Sequence, residues 1–217
     1  QLTITEAWDC VGNSINNEQN SAIIMLPEKA EPGDLVINEI LFNPSQGGVE
    51  FIEIYNSSEK NILLENVSIA TDTDFEYLSI DYLNLPAFEF VAITEDANLL
   101  KANYPGAPQQ KLISVANLPA LNNEESSLVL YLDNQLIDSV YYHKNFHFSL
   151  LKDDKGVSLE RIYSDQPALD QNNWQSAAEA VNYGTPGYKN SQYAEALPGS
   201  SKIKVHPEVF SPDFDGY

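Results

Sequence analysis

At 217 residues the chain is long enough for one sizeable domain with extensions, or for two small ones. Its 43% hydrophobic and 11% aromatic content is globular, and no apolar run approaches the ~18 residues needed to cross a bilayer, so a soluble segment without membrane insertion is expected. Eleven Lys and Arg against 32 Asp and Glu give a formal charge of −21, a surface that repels nucleic-acid phosphates and anionic lipids and favours divalent cations or partners with basic patches.

In chain order, "LTITEAW" and "SAIIML" come first, with "AWDCVGNSINN" running into a Gly-Asn turn between them. Residues 1–31 read either as the closing strands of an upstream immunoglobulin-like module or as extra strands packed on the main domain, since two strands do not stand alone in water. Cys10 has no partner for an internal disulfide and no cluster with zinc spacing around it. "PEKAEPGD" has the composition of a linker. Short β-type runs follow: "DLVINEILF", "EFIEIYN", "ILLENVSIA", "FEFVAIT", "KLISVA", "SSLVLYL", "QLIDSVYY" and "GVSLERIY", most of them bounded by Gly, Pro, Asn or Asp. The pattern predicts an all-β sandwich of roughly seven to ten strands. One segment breaks it: "TEDANLLKANYP" predicts a single short helix capped by Thr94, with Leu99, Leu100 and Tyr104 on its apolar side and Pro105 as its stop. The acidic "TDTDFEYLSIDYLNLP" reads as an irregular loop, and residues 191–217 as a linker and the start of a following module. A start at Gln1 without methionine or a signal peptide, and an end on "VFSPDFDGY", read as cuts in a longer protein.

The candidate chemistry begins with the acidic residues of "INEILFNPSQGGVEFIEIY", which carries Glu39, Glu50 and Glu53 beside very apolar strands. Strand alternation puts Ile37, Glu39 and Leu41 on one face, and Phe51, Glu53 and Tyr55 on one face of the next strand, so Glu39 and Glu53 can meet across a hairpin. Two carboxylates ~5 to 9 Å apart are the geometry of a glycosidase. The competing reading is a structural ion pair. A buried carboxylate needs a cation or several donors, and the only arginine, Arg161 in "SLERIY", is expected to satisfy Glu39 or Glu53. His143 and His147 have zinc-helix spacing, but in an extended chain they lie ~13 Å apart. The aromatics around them, Tyr141, Tyr142, Phe146 and Phe148, are a candidate ligand platform. Asp72, Asp74 and Glu76 in "TDTDFE", with Asp213 and Asp215 in "SPDFDG", are candidate calcium ligands that complete no EF-hand. Calcium is the one cofactor considered. Trp174 is expected to plug the sandwich edge, and "YGTPGY" to form a tight turn. No G-x-S-x-G, phosphate loop or H-E-x-x-H is present, and no enzyme activity is expected.

"DLVINEILFNP", "GGVEFIEIYNSS", "LPALNNEESSLVLYLDNQLIDSVYY", "GVSLERIY" and "NNWQSAAEAVNYGTPGYKNS" follow one another in an order that resembles a lamin tail domain of bacterial secreted proteins, over about residues 33–190. The resemblance implies an immunoglobulin-like β-sandwich over 32–190 without assigned catalytic residues. It also implies an accessory role in an exported or cell-surface protein, with other domains of the same protein, a surface protein or a polysaccharide as partners. The nuclear members' association with DNA does not carry over to a chain of −21. The tail "VFSPDFDGY" resembles the start of C-terminal modules of the gliding-type (type IX) secretion route. A non-catalytic interaction or spacer module is thus expected, with a calcium- or carbohydrate-dependent adhesion module and a carboxylate hydrolase as the alternatives.

Overall fold

The computed structural model describes residues 2–16, 20–22, 26–78, 80 and 83–195. In chain order the strands are β1 (Leu2–Thr3), β2 (Ser21–Ala22), β3 (Leu35–Leu41), β4 (Phe51–Asn56), β5 (Ile62–Leu64), β6 (Val67–Thr71), β7 (Phe75–Tyr77), β8 (Leu83–Leu85), β9 (Phe90–Thr94), β10 (Leu112–Ser114), β11 (Glu125–Leu132), β12 (Gln135–His143), β13 (Leu159–Arg161) and β14 (Trp174–Ser176). Among the described residues a single α-helix, α1 (Ala97–Asn103), lies between β9 and β10. A six-stranded sheet in the order β10-β9-β4-β3-β13-β14 faces a four-stranded sheet in the order β12-β11-β6-β7. The fold is an immunoglobulin-like β-sandwich with one short helix. Every pairing in the two sheets is antiparallel except β9–β10, where α1 makes the crossover that a parallel pair requires.

Alternation along the strands divides the apolar residues into two clusters. Ile37, Ile40, Ile52, Ile54, Ile93 and Leu159 of the larger sheet meet Ile69, Leu128, Leu130 and Val140 of the smaller one to form the main core. Leu41, Phe51 and Ala92 point the other way and are covered by Ala97, Leu100 and Tyr104. All seven residues of β3 are consequently buried, as in a strand covered on both faces. Trp174, on edge strand β14, is buried in the main core and donates its indole N–H to the Ala168 carbonyl.

Several local features differ from the sequence reading. The cap of α1 is Asp96, whose carboxylate accepts from the amides of Asn98 and Leu99; Thr94 instead ends β9 and donates to the Glu50 carbonyl. Replacing Asp96 with Ala is expected to cost about 1 kcal/mol, read as a lowered urea midpoint at unchanged slope, because two helix-start amides lose their acceptor. The segment expected to be an irregular loop contains β7 and β8. The acidic "TDTD" is a tight hairpin turn, closed by a hydrogen bond from the Thr71 amide to the Asp74 carbonyl. The expected boundary near residue 31 falls within the body: Ala30 belongs to the main core, and Glu28 bridges to Ile62. At the other end the body continues through Ala194, whose amide donates to the Ile162 carbonyl. Among the described residues no helix is long and apolar enough to cross a membrane.

Candidate functional site

Glu39 stands directly opposite Glu53 on β4 and opposite Glu160 on β13, so three glutamates form a row across three adjacent strands. All three are fully buried. A bulge sets the row. The register shifts between Ile37 and Glu39, so Ile37 and Ile40 both enter the main core while Glu39 turns to the outer face. This corrects the expectation that Ile37 shares a face with Glu39. The extra residue, Asn38, donates its side-chain amide to Glu53 Oε1 and to Asn190 Oδ1, both at 2.7 Å.

Residues 183–192 cover the row. Thr185, Pro186, Gly187 and Tyr188 form a β-turn with proline second and glycine third, the glycine at φ +86°, the combination that defines type II. The turn aims the Thr185 amide at Glu39 Oε1 (2.8 Å) and the Gly187 amide at Glu53 Oε2 (2.6 Å). Gly184, just before it, is packed so closely on Tyr104 that a Cβ would lie 2.5 Å from a ring carbon. The Ser158 hydroxyl adds a short hydrogen bond to Glu39 Oε1, and the Ser191 hydroxyl (2.8 Å) and Gln192 amide (2.7 Å) bind Glu160 Oε2. Residues 191 and 192, read from sequence as linker, are therefore part of this network.

None of the ion pairs among the described residues includes these glutamates. Burial pushes the Glu39 carboxyl up to about 8, with the neighbouring Glu160 adding to the rise. Glu53 is raised well above the ordinary range by burial first and Glu39 second. The hydrogen bonds require a proton as well. The Thr185 hydroxyl lies 3.0 Å from Glu39 Oε2 and 2.9 Å from Glu160 Oε1, yet it has one hydrogen to donate. One of those two carboxyls is therefore the donor. With Glu39 raised, the chain runs from the Glu39 acid to the Thr185 hydroxyl and on to Glu160. Each of the six carboxyl oxygens has a partner within the chain, and with all three residues fully buried the row presents no open position to a substrate or an attacking water.

Arg161 does not pair with Glu39 or Glu53. It follows Glu160 directly, and alternation sends the two side chains to opposite faces of β13. Its guanidinium binds Asp138 Oδ2 at 2.8 Å and the carbonyls of Ile37, Tyr163 and Gln166. Asp138, on β12 and partly buried, also accepts from the Ile37 amide, so its pair with the buried Arg161 ties one sheet to the other. The two-glutamate motif was legible in the sequence; Glu160 was missed, because only the pairing of β13 with β3 brings it to the row.

The remaining candidates are dispersed. Tyr142 is in the core, stacked on Phe42 with centroids 4.8 Å apart, while Tyr141 points outward and donates to Glu125. Phe146 packs partly buried on the core, and Phe148 is exposed. These four do not form one platform. His147 is buried against Phe42 with Nδ1 on Ser176 Oγ, and burial lowers it to about 4. His143 instead accepts from the Asn145 amide and lies near Glu125, so the histidines share no site. Asp72 is held low by hydrogen bonds from Ser127, and it also meets the Ser126 hydroxyl. Asp74 caps the amide of Phe75, and Glu76 pairs with the core-facing Ile69. Among the described residues no group of three or more acidic, His or Cys side chains is arranged to hold a metal ion. Asp213 and Asp215 lie outside the described residues. Glu50 is half-buried away from the row, accepts from the Leu121 amide, and is pushed up to about 7 by burial.

The two-sheet sandwich, with its polar row covered by its own chain, is an immunoglobulin-like domain. The family model of the lamin tail domain matches residues 28–144, more than half of the chain, and the chain belongs to that family. The family is generally non-catalytic. Glu39 and Glu53 fall inside the matched stretch; β13, β14 and the cover over the row lie beyond it. No curated protein matches the chain.

Proposed function

We propose that this lamin tail domain is a non-catalytic interaction or spacer module of an exported bacterial surface protein. The observation that carries the reading is the sealed carboxylate row. In a glycosidase two carboxyls flank an open position for the glycosidic bond or a water. Here the space between Glu39, Glu53 and Glu160 is filled by Asn38, Ser158, Thr185, Gly187 and Ser191. The row stitches the outer face of the sheet to residues 183–192 and leaves recognition to the surface. The formal net charge of −21 fits a partner with a basic patch and disfavours nucleic acid.

Antibody labelling of unpermeabilised cells that make the native protein tests the location. Surface signal that is lost on mild external proteolysis is expected. Signal that appears only after permeabilisation would count against the exported reading.

A further inference from the structure

The outer face of the four-stranded sheet carries a feature that the sealed row leaves unexplained. In the register of the strands, Tyr77 of β7, Ser68 of β6, Tyr131 of β11 and Leu136 of β12 lie in one line, with Phe75, Ala70 and Val129 in the next. Small residues on β6 let the aromatics of the flanking strands meet: Phe75 stacks edge-on against Tyr77 at 5.0 Å and contacts Tyr131 at 6.0 Å. Phe75 and Tyr77 on edge strand β7 are 46% and 64% exposed and Leu136 on edge strand β12 is 49% exposed, while Tyr131 between them is half-buried and Ser68 buried, so the apolar stripe runs across the sheet and opens to solvent at both edges.

The charge around this stripe is one-sided. Between Lys60 and Lys101, and again between Lys111 and Lys144, the chain contains no lysine or arginine, and these two intervals supply all four strands and their hairpin turns. Asp72 and Asp74 sit in the turn before β7, Asp133 in the turn before β12, and Glu125 at the start of β11. Asp138, the acidic residue of β12, is neutralised from inside by Arg161, whereas Asp72, Asp74 and Asp133 take part in none of the ion pairs among the described residues. His143 at the end of β12, close to Glu125, is the only basic side chain on the sheet.

We propose that this stripe is a docking surface for a lysine- or arginine-bearing segment of a partner protein, a proposal that rests on reading the domain as an interaction module. A cationic side chain has an apolar stem and a charged head. The stem fits against Phe75, Tyr77 and Leu136, and the head is drawn to the ring faces and to Asp72, Asp74 and Asp133. Ring geometry favours a polypeptide over a sugar. Phe75 and Tyr77 are inclined at 78° and Phe75 and Tyr131 at 53°, so neither of these contacting pairs shares a plane on which a flat sugar face would stack. The inclined rings instead form notches that suit separate side chains.

The test is a fluorescence-anisotropy titration of the full chain with a labelled arginine- and lysine-rich synthetic peptide, run beside a peptide in which every Arg and Lys is Gln. Saturable binding of the basic peptide alone is expected. Tyr77→Ser and Phe75→Ser, which leave the net charge unchanged, should each weaken it by about tenfold, as for loss of a ring that a cation contacts. Asp165→Asn, exposed on the connection between β13 and β14 of the other sheet, should change it by less than about twofold if long-range charge is screened at physiological salt. Thermal melts check folding, and the exposed Tyr77 serves as the second variant should Phe75→Ser fail to fold. Absence of binding overturns the proposal, as does binding indifferent to both aromatic variants or weakened equally by Asp165→Asn. Binding of a neutral oligosaccharide that Tyr77→Ser abolishes would also overturn it, while leaving the interaction-module reading intact. Failure of the surface-labelling experiment would affect that reading alone.

Discussion

Raising the pH from about 6.5 to about 8 is expected to destabilise this protein, the opposite of the usual acid sensitivity of paired carboxylates. Glu39 titrates near 4.5 when unfolded and about 8 when folded, so between those values the native state holds a proton that the unfolded chain has lost. Its stabilising contribution is fully present below 4.5 and disappears as pH rises through 8. Glu53 is shifted in the same direction, and Glu50, raised to about 7, acts in the same sense up to that pH. His147 works the other way. Lowered from 6.5 to about 4, it is protonated in the unfolded chain and neutral in the fold, so between those values it makes stability rise with pH. Below 6.5 the two effects oppose one another; above it the glutamates act alone.

Each proton held by the native state alone contributes a slope of about −1.4 kcal/mol per pH unit. For a domain of this size that is a fall in melting temperature of roughly 3 to 6 °C per unit and per proton. Calorimetry at constant ionic strength across this window reads the slope directly. Glu39→Gln should fold and flatten it by one proton's worth. The new carbonyl can accept from Ser158 and the Thr185 amide, and the new NH2 can donate to the Thr185 hydroxyl as the acid did. A slope unchanged in Glu39→Gln, or a wild-type stability that climbs between 6.5 and 8, would refute the protonated row.

Arg161→Ala is expected to be among the most damaging single substitutions, at about 3 to 5 kcal/mol, because it leaves the Asp138 carboxylate, whose side chain is only 14% exposed, without its cation and removes a buried guanidinium rather than a surface pair. It would leave Asp138 with the Ile37 amide as its remaining partner and deprive the Ile37, Tyr163 and Gln166 carbonyls of their donor. Arg161→Lys should recover only part of the loss, since an ammonium reaches Asp138 as a point charge but lacks the planar fork that serves the carbonyls. In urea unfolding, the double variant Asp138→Ala/Arg161→Ala should cost less than the two single changes added. A single-variant loss below about 1 kcal/mol would mean that the pair does not tie the sheets, since only exposed pairs are so weak.

Much of the sandwich is legible from period-two alternation and turn residues, because a strand that buries one face writes that face into its sequence. "SSLVLYL" and "FVAIT" are of this kind. β7 was hidden by composition, since "FEY" alternates inside a run of aspartates that reads as solvent-facing loop. The site failed differently. Glu39 and Glu53 could be placed opposite one another because they share a hairpin, yet the bulge at Asn38 has no signature beyond an asparagine in an apolar strand. Glu160 comes into the row only through a pairing between strands more than a hundred residues apart. Arg161 was assigned by chemical need, and strand geometry overruled that need by one residue. Partners from the 183–192 segment were unreadable because backbone amides, which every residue carries, supply much of the binding.

The cover over the carboxylate row also determines when the fold can be completed. The Thr185 amide reaches back across 146 positions to Glu39, and the Gly187 amide across 134 to Glu53. A chain emerging from the ribosome presents both glutamates long before their donors exist, and in water at neutral pH they are charged and mutually repulsive. Contacts this distant in sequence form late and slowly. The larger sheet therefore cannot close its outer face over these glutamates until β13, β14 and the turn that follows them have been made, and the proton that the row retains is taken up in that step.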